Sequence, residues 1–498
     1  MAPTSARNRV VPTYTIDLAT PPQLRYAKLA EDFGERMRSI QHLFDELLAL
    51  LFPAAIVRKS VKLLARTALH RLRSDDETQE IRGLAQATGI DLYLFVVFNT
   101  VLDYLLGCTS GAVRVKPSKA TAGTAGGSAK KGAKPGSPEN PFRLLHFRTL
   151  DWGMDRLRDL LVVLEFVDSS SSESPDRVLA RSITYAGFIG TLTAVRENMS
   201  ISMNFRPNHT CHTHSLWLHQ FLVLVGRRHS LPSILRSFIL DGVYPQQRGA
   251  SSSSVVGTAA TASPGPRPPP KPQNLKDEAR RLAATTSAPC YLVLCDGTEV
   301  VAIEKDLTEG SIRSSTDFLV HTNHDVHEAE ASSDPDVVPG VTMHASSVSL
   351  LSFEEWLEDS TNRRDSVAKK WRRHVQKYYP TPTPAAPAPP RLSTESVSST
   401  TRRQSRRQQQ QKQNGNGNAN GNHSSGNDRI SSNEDGDDGD KEKPNITLAT
   451  LKRWIQADPV TNNCTHFSCI MDPKMGEIRW MESLDPPEED EEEEEQTV

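Results

Sequence analysis

The sequence predicts a layered α+β fold, and three observations support this class. Apolar residues recur at helical spacing in 22–50 and 54–73, and a further stretch of one or two helices, 79–107, ends at Gly107. Segments with strand-like composition follow between residues 143 and 482. Polar, low-complexity blocks interrupt these segments, and the strand signals resume after each block. Helices followed by a mixture of helices and antiparallel-type strands favour sheets covered by helical layers.

Most of the predicted elements after Gly107 are strands. Their signals fall in seven segments: 143–152, 159–167, 178–195, 200–206, 290–306, 318–325 and 466–482. A helix rich in aliphatic side chains is predicted for 216–239. Four blocks have too little apolar surface to offset the entropy of ordering: 116–141, 168–176, 249–273 and 380–444. We expect these blocks to be disordered or flexible loop insertions in one fold.

The chain has 498 residues, with 58 Lys and Arg against 61 Asp and Glu and a net charge of −3. This balance creates no overall field that would attract nucleic acid, and we expect no nucleic-acid partner. Charge is instead segregated into a basic run, 401–413, and an acidic run, 488–496, within an acidic tail at 483–498. Runs of like charge are typical of solvated, disordered segments.

Cysteine is too sparse for a disulfide scaffold, with residues at 108, 211, 290, 295, 464 and 469. The cysteines form no CxxC pair and no zinc-binding spacing. The segment HTCHTH (209–214) resembles a metal cluster, but no second group of ligands follows at a matching spacing, so a surface loop is the favoured interpretation. No metal or other cofactor is predicted.

The N-terminal segment 1–22 contains no apolar stretch of the kind found in secretory signals. No run approaches the ~18 apolar residues of a membrane-spanning helix. From these observations we expect an intracellular location.

The segment LDYLLGCTSGAV places Cys108 between an apolar run and a group of small residues. An unpaired cysteine is often a core residue, and the local sequence alone favours that interpretation. The segment FRTLDWG then holds Arg148 and Asp151 three residues apart. An arginine near a cysteine stabilises the reactive thiolate, whereas an ordinary Arg–Asp ion pair at a turn is the alternative.

Eight motifs occur along the chain in a characteristic order: YTIDLATPPQLRY (14–26), GCTS (107–110), FRTLDWG (147–153), TYAGFIGTLTA (184–194), SISMNFR (200–206), HTNHD (321–325), NRRDS (362–366) and NITLATL (445–451). This order resembles the acid ceramidase and N-acylethanolamine acid amidase family, within the choloylglycine hydrolase group of N-terminal-nucleophile hydrolases. The resemblance runs from about residue 12 to about residue 482 and omits the low-complexity insertions. It implies an αββα sandwich of antiparallel sheets flanked by helices, with Cys108 as the nucleophile.

The resemblance also implies a precursor that cleaves its own chain between Gly107 and Cys108. An N-terminal helical segment, 1–107 (the alpha subunit), would then remain associated with an amidase domain, 108–482. Cleavage gives Cys108 a free α-amino group with an ordinary pKa of about 7.7–8.0. That amine would act as the general base for its own thiol, as in other N-terminal nucleophiles.

Four further positions match the family's site residues. Arg148 would hold the thiolate and the substrate carbonyl, and Asp151 would accept a hydrogen bond from the new amino group. Asn323 would donate a hydrogen bond to the oxyanion of the tetrahedral intermediate. Arg363 would support the site electrostatically, although it lies 40 residues beyond Asn323, across a segment that resembles an inserted loop.

One position departs from the family pattern. Close relatives carry Asn-Glu-Arg where this chain has Asn204, Phe205 and Arg206. An aromatic ring replaces a carboxylate, so we expect different contacts to the substrate's head group.

The implied activity is hydrolysis of the amide bond of an N-acylated lipid, with ceramide, which gives a sphingoid base and a fatty acid, as the leading substrate. An N-acylethanolamine or another fatty amide is the alternative with the same chemistry. A catalytically degenerate lipid-binding protein is the alternative of another class; the change at Phe205 favours it and the retained Cys108 opposes it. The expected partners are the N-acyl lipid and a membrane surface that the protein contacts peripherally. The two fragments produced by cleavage are expected to remain associated with each other. The family's members are often lysosomal or secreted.

Overall fold

A computed structural model describes residues 9–101, with short gaps between 39 and 53, and then 107–116, 142–171, 174–207, 209–241, 274–326, 353–380 and 443–485. Nearly all of the three long insertions predicted from the sequence, and the acidic tail from 486 onward, lie outside these residues. The helices and strands described below belong to one compact unit, formed by residues 1–378 and 444–498.

Two sheets form the centre of this unit. The strands of the described chain are β1 Thr13–Asp17, β2 Gly107–Val115, β3 Arg143–Asp151, β4 Leu161–Val167, β5 Ala180–Tyr185, β6 Thr193–Arg196, β7 Met199–Phe205, β8 Cys290–Cys295, β9 Val300–Lys305, β10 Gly310–Ser315, β11 Phe318–His321, β12 Thr465–Asp472 and β13 Glu477–Ser483. The larger sheet has the order β1-β4-β5-β6-β7-β8-β9-β10, and the smaller sheet has the order β11-β2-β3-β12-β13. Apart from the parallel pair β1–β4, the strands pair antiparallel.

Helices cover the outer faces of both sheets. They are α1 Ala27–Met37, α2 Ala55–Ala68, α3 Asp75–Thr88, α4 Leu92–Val101, α5 Thr213–Leu224, α6 Leu231–Leu240, α7 Leu275–Ala284, α8 Phe353–Tyr378 and α9 Leu448–Ile455. Buried side chains of α1, α3, α4, α6 and α7 share one apolar core with the larger sheet. Side chains of α8 and α9 share a second core with the smaller sheet. The predicted αββα arrangement of antiparallel sheets and flanking helices is therefore confirmed.

No helix among the described residues is both long enough and apolar enough to traverse a bilayer.

Several predicted segments are divided by turns into two elements each: the segment 178–195 contains β5 and most of β6, and the segment 466–482 contains most of β12 and most of β13. The helix predicted for 216–239 is two helices, since Gly226 has φ +69° and the side chain of Ser230 caps the start of α6. The strand signal at 290–306 is a hairpin of β8 and β9, with Gly297 at φ +89° in the turn. A breaker inside an apolar run therefore changed the number of elements without changing their type.

The predicted helix that ends at Gly107 is described as far as Val101, and residues 102–106 lie outside the described residues. Gly107 is the first residue of β2. The N-terminal segment 1–107 is not purely helical, because β1 adds a strand to the edge of the larger sheet. The alternating β-branched residues of TYTID at 13–17 account for this strand.

The N-terminal segment is attached to the rest of the fold by buried polar contacts as well as apolar ones. Glu80 on α3 has a side chain with no exposed surface and accepts hydrogen bonds from both guanidinium nitrogens of Arg236 on α6. Arg25 donates to the same carboxylate at 2.9 Å. Asn99 on α4 donates to the carbonyl of Gly187 at 3.0 Å and accepts from the amide of Ile189 at 2.8 Å.

We predict that Glu80→Gln destabilises the protein by about 3 kcal/mol, because a buried arginine loses its counter-ion. The free energy of unfolding from urea titrations measures this effect. Glu31→Gln is the matched control, since Glu31 pairs with Lys28 at the surface and its side chain is 72% exposed. The control should change stability by less than about 0.5 kcal/mol, and equal losses in both variants would contradict the prediction.

Candidate active site

The nucleophile predicted at Cys108 lies on β2 near its first residue. In the antiparallel pair of β2 and β3, Cys108 lies opposite Leu150 and Ser110 lies opposite Arg148. Directly opposed residues share a face of the sheet, so Cys108 and Arg148 are diagonal neighbours on the face toward the larger sheet. Both side chains are fully buried.

The guanidinium of Arg148 joins the two sheets at this point. Its Nη2 donates to the Sγ of Cys108 at 3.1 Å and to the carbonyl of Met203 at 2.5 Å. Its Nη1 donates to the carbonyl of Leu192 at 2.5 Å and to Oγ1 of Thr193 at 2.6 Å. These four acceptors fix the guanidinium against the sulfur.

The environment of the Cys108 thiol favours its protonated form. Burial raises its pKa above the usual value, and the nearby carboxylate of Asp151 acts in the same direction, while Arg148 and Arg363 lower it. Arg148 therefore stabilises the thiolate as expected from the sequence, but burial outweighs that effect. A group that removes the proton during reaction is needed for nucleophilic attack.

Asn323 lies beside the backbone nitrogen of Cys108. Strand β11 pairs with β2, and its register places the residues after His321 next to the start of β2. The Asn323 Oδ1 accepts a hydrogen bond from the Cys108 N–H at 2.7 Å, and its Nδ2 donates to the carbonyl of Phe205 at 2.8 Å. The backbone N–H of Asn323 donates to Ser360 on α8 at 2.9 Å. The asparagine is thus held from both sides.

Arg363 reaches the same place from α8, although a 40-residue separation divides it from Asn323 in sequence. Its side chain is 1% exposed, and its guanidinium donates to Oδ2 of Asp151 at 3.2 Å and to Oδ1 of Asn323 at 3.3 Å. Its Nε donates to Asp359, one helical turn earlier, at 2.8 Å. The ion pair of Asp151 is therefore made with Arg363, and the alternative of an Arg148–Asp151 pair at a turn is wrong.

Asp151 lies at the end of β3, opposite Gly107. A Cβ placed on Gly107 would lie 3.4 Å from the Cβ of Asp151 and 3.9 Å from a guanidinium nitrogen of Arg363. Oγ1 of Thr465, the first residue of β12, donates to Oδ1 of Asp151 at 2.6 Å. The Gly107–Cys108 peptide is therefore flanked by a carboxylate and a guanidinium.

Burial raises the pKa of Asp151 to about 6, although the Arg363 guanidinium and the hydrogen bond from Thr465 oppose this shift. The cluster contains one thiol, one carboxylate and two arginines. Two fixed positive charges beside the potential ligands disfavour a metal ion at this site.

The three residues at the departure from the family pattern occupy different places. Asn204 is fully buried; it accepts a hydrogen bond from the Ser110 hydroxyl at 2.7 Å and donates to two carbonyls at the end of β11, those of His321 and Thr322. Arg206 makes a bidentate ion pair with Asp325, at 3.0 and 2.6 Å. Phe205 is partly buried, and its carbonyl is the acceptor for Asn323. Asn204 therefore links the two sheets beside Cys108, whereas Arg206 forms its ion pair with Asp325 and not with a residue of the Cys108 cluster.

Sequence reasoning missed two residues that hold the cluster in place. Thr465 orients Asp151, and Ser360 orients Asn323. A hydroxyl residue carries no distinctive motif, and both act only because sheet register and helix packing bring them to this end of the smaller sheet. Pairing of β3 with β12 was the signal that could have found Thr465, since Thr465 is opposite Asp151.

We predict that Asp151→Asn removes a pH dependence of stability. The native protein keeps the Asp151 proton up to a pKa of about 6, whereas the unfolded chain releases it near the ordinary value of 3.8. Because the native state binds more protons in this window, the stabilisation is complete below about pH 4 and is lost as the pH rises through about 6.

Urea titrations at several pH values test this prediction. The wild-type free energy of unfolding, relative to that of Asp151→Asn, should fall by roughly 1.4 kcal/mol per pH unit between about pH 4 and pH 6. Asp176→Asn is the control, because Asp176 is exposed. A wild-type curve parallel to that of Asp151→Asn would contradict the raised pKa.

Comparison with known proteins gives a consistent pattern. Residues 9–72 match the family model for the beta subunit of N-acylethanolamine-hydrolyzing acid amidase. An acid ceramidase from Heterocephalus glaber is 25% identical over 211 residues, which cover 39% of this chain and 46% of that protein. An uncharacterised protein of Acanthamoeba polyphaga mimivirus is 24% identical over 200 residues, which cover 39% of this chain and 50% of that protein. The chain thus spans about half the length of the curated relatives it matches.

A solved structure of a Caenorhabditis elegans N-acylethanolamine-hydrolyzing acid amidase ortholog aligns with a TM-score of 0.37 and 12% identity, over 75% of this chain and 99% of that one. The family model names its matched region a beta subunit, whereas the resemblance led us to label 1–107 an alpha subunit. The two parts are therefore called the N-terminal and C-terminal pieces below. The matched N-terminal model and the acid ceramidase relatives both indicate similarity to the acid ceramidase and N-acylethanolamine-hydrolyzing acid amidase family.

Proposed function

We propose that this protein is a self-cleaving cysteine amidase that hydrolyses the amide bond of an N-acylated lipid. One observation carries the proposal: the Cys108 thiol accepts a hydrogen bond from Arg148 while the Cys108 backbone nitrogen donates to Asn323. The sulfur that would attack and the nitrogen that would become its base are thus both held in place before cleavage.

In the proposed maturation step, the Cys108 sulfur attacks the carbonyl carbon of Gly107. A thioester C–S bond forms and the Gly107–Cys108 C–N bond breaks, while the nitrogen takes the thiol proton. Water then hydrolyses the thioester, which leaves a carboxylate on Gly107 and restores the thiol. Asp151 and Arg363 flank this peptide and orient it.

In the proposed turnover, the new α-amine takes the proton of its own thiol, and the thiolate attacks the amide carbonyl of the lipid. Collapse of the tetrahedral intermediate breaks the amide C–N bond, and the ammonium of Cys108 returns a proton to the leaving amine. Water activated by the same amine hydrolyses the acyl thioester and releases the fatty acid. No histidine is needed in this cycle.

The surrounding residues supply charge and orientation. Arg148 stabilises the thiolate, which burial alone would disfavour. The Oδ1 of Asn323 already accepts a hydrogen bond from the Cys108 nitrogen, so in our proposal it orients the amine, a role that the sequence assigned to Asp151. Its Nδ2 would leave the Phe205 carbonyl to reach a developing oxyanion.

Ceramide is the proposed substrate, since several of the relatives are acid ceramidases. An N-acylethanolamine is the second candidate, supported by the family model for the N-terminal segment. Phe205 would favour a head group that needs no carboxylate partner. A lipid-binding protein without turnover is opposed by the preserved cluster of Cys108, Arg148, Asp151 and Asn323.

We also propose that the protein contacts a membrane peripherally and takes its lipid substrate from there. Two helices that pack against α4 expose large apolar side chains, each more than half exposed: Ile56, Leu63 and Leu64 on α2, and Trp217, Leu218 and Phe221 on α5. Exposed apolar patches of this kind are typical of membrane or partner contacts.

We predict that the purified protein converts into pieces of 107 and 391 residues and that Cys108→Ala stays intact, because the attacking sulfur is gone. Intact-mass spectrometry measures both products. The pieces should co-elute on size exclusion in strong reductant, since the N-terminal piece contains no cysteine and is held by contacts such as Glu80–Arg236.

Cys464→Ser is the control for this experiment, since Cys464 is a free thiol that is exposed, whereas that of Cys108 is buried. The control should be cleaved like the wild type. If Cys108→Ala also gave these two pieces, the assignment of Cys108 as the nucleophile would be wrong.

We also predict that Arg148→Lys lowers kcat/KM for amide hydrolysis by at least about 100-fold, because a lysine cannot span the sulfur and the acceptors of both sheets with a planar fork. Turnover is measured with an N-acylsphingosine and an N-acylethanolamine of the same chain length, and the larger kcat/KM decides between the two substrate classes. Arg177→Lys is the matched control, since Arg177 pairs with Glu197 at the surface. Activity of Arg148→Lys within about threefold of wild type, ~0.7 kcal/mol, would contradict the role of Arg148.

A further inference from the structure

We propose that His209, Cys211 and Asp306 form a binding site for a zinc-type divalent transition metal. The site is separate from the Cys108 cluster and independent of the proposed amidase activity. The segment HTCHTH (209–214) has no second group of ligands nearby in the sequence, but the fold brings Asp306 next to His209 and Cys211.

The three ligand atoms already converge. One atom from each residue lies within 4.8 Å of the other two, and the Sγ of Cys211 is 3.1 Å from Nδ1 of His209. In a tetrahedral zinc site with Zn–N near 2.0 Å and Zn–S near 2.3 Å, neighbouring ligand atoms are about 3.5 Å apart. Side-chain rotations that move the ligand atoms by roughly an ångström or less would therefore bring all three within bonding distance of one ion.

The fold explains why these residues meet. The loop after β7 carries His209 and Cys211, and Asp306 is the first residue after β9. Asp306 is 6% exposed, whereas His209 and Cys211 are half-buried. The site is thus anchored on the end of a strand in the larger sheet and open on its loop side, where an ion can enter.

The carboxylate of Asp306 is already oriented by its neighbours. The Thr210 backbone N–H donates to Oδ2 at 2.9 Å, the Thr210 hydroxyl donates to the same oxygen at 2.5 Å, and the Leu307 N–H donates to Oδ1 at 2.9 Å. Hydrogen bonds of this kind to a ligating carboxylate hold it for the metal. Thr210 lies between the two other ligands, so the same contacts fix the loop that presents them.

The donor set selects the class of metal. One imidazole, one thiolate and one carboxylate suit Zn²⁺ or Co²⁺, whereas Mg²⁺ and Ca²⁺ require oxygen ligands. The thiolate and the carboxylate together neutralise a divalent ion, and three protein ligands leave a fourth position for water. Two cations lie nearby. Arg206 is held in a bidentate ion pair with Asp325, which reduces its repulsion of the ion. The Nζ of Lys305 donates to the backbone carbonyls of Ala283 and Asp306, at 2.9 and 3.0 Å.

Metal titration of the full-length protein tests the site. After treatment with a chelator, the protein is titrated with Zn²⁺ alone and with Co²⁺ alone. We expect one metal per chain, a thiolate-to-cobalt charge-transfer band with visible bands of tetrahedral Co²⁺, and a higher Tm with Zn²⁺. Cys211→Ser should lose the charge-transfer band and the rise in Tm, and His209→Ala should bind at least about 10-fold more weakly.

Two controls separate this site from other thiols. Cys464→Ser removes an exposed thiol, and Cys108→Ala removes the buried one in the active-site cluster; both should keep the cobalt spectrum. A charge-transfer band that persists in Cys211→Ser, or one that disappears from Cys464→Ser or Cys108→Ala, would overturn the proposal. Asp306→Asn should also lose binding, and Cys211→Ser decides the outcome if that variant does not fold.

Discussion

The buried guanidinium of Arg148 is the interaction on which the two sheets and the candidate site both depend. A buried charge without partners is very costly, so its position is fixed by the acceptors that surround it. Those acceptors belong to both sheets: the sulfur of Cys108 lies on the smaller sheet, and the carbonyls of Leu192 and Met203 lie on the larger one. Any shift of one sheet relative to the other would break these hydrogen bonds, so the packing of the sandwich and the position of the Cys108 sulfur are set together.

A second buried arginine gives the cluster its charge balance. Arg363 faces Asp151 from the helical side of the smaller sheet, whereas Arg148 faces Cys108 from the side between the sheets. Arg363 is paired with two carboxylates, those of Asp151 and Asp359, whereas the four acceptors of Arg148 include no carboxylate. A thiolate at Cys108 would therefore give Arg148 a counter-ion, and this attraction opposes the effect of burial, which raises the pKa of the thiol.

The sequence predicted the class of fold, most strands and the identity of the clustered residues, because these follow from local pattern and from the order of motifs. The convergence itself was not predictable from one chain. Thr465, Asp151, Gly107 and Asn323 share one end of the smaller sheet only because β12, β3, β2 and β11 pair in that register. The helix α8, which delivers Arg363, was also missed, since its sequence is strongly polar and its apolar contacts form a narrow stripe. Long-range pairing, rather than local propensity, built the site.

The position of the Gly107–Cys108 peptide in the fold is compatible with cutting the chain there. Cys108 keeps its place through the pairing of β2 with β3 and β11, and none of these strands lies in the N-terminal piece beyond the first residue of β2. The N-terminal piece is held elsewhere, by the β1–β4 pairing and the buried carboxylate of Glu80. A break at this bond would therefore leave these attachments of the two pieces in place.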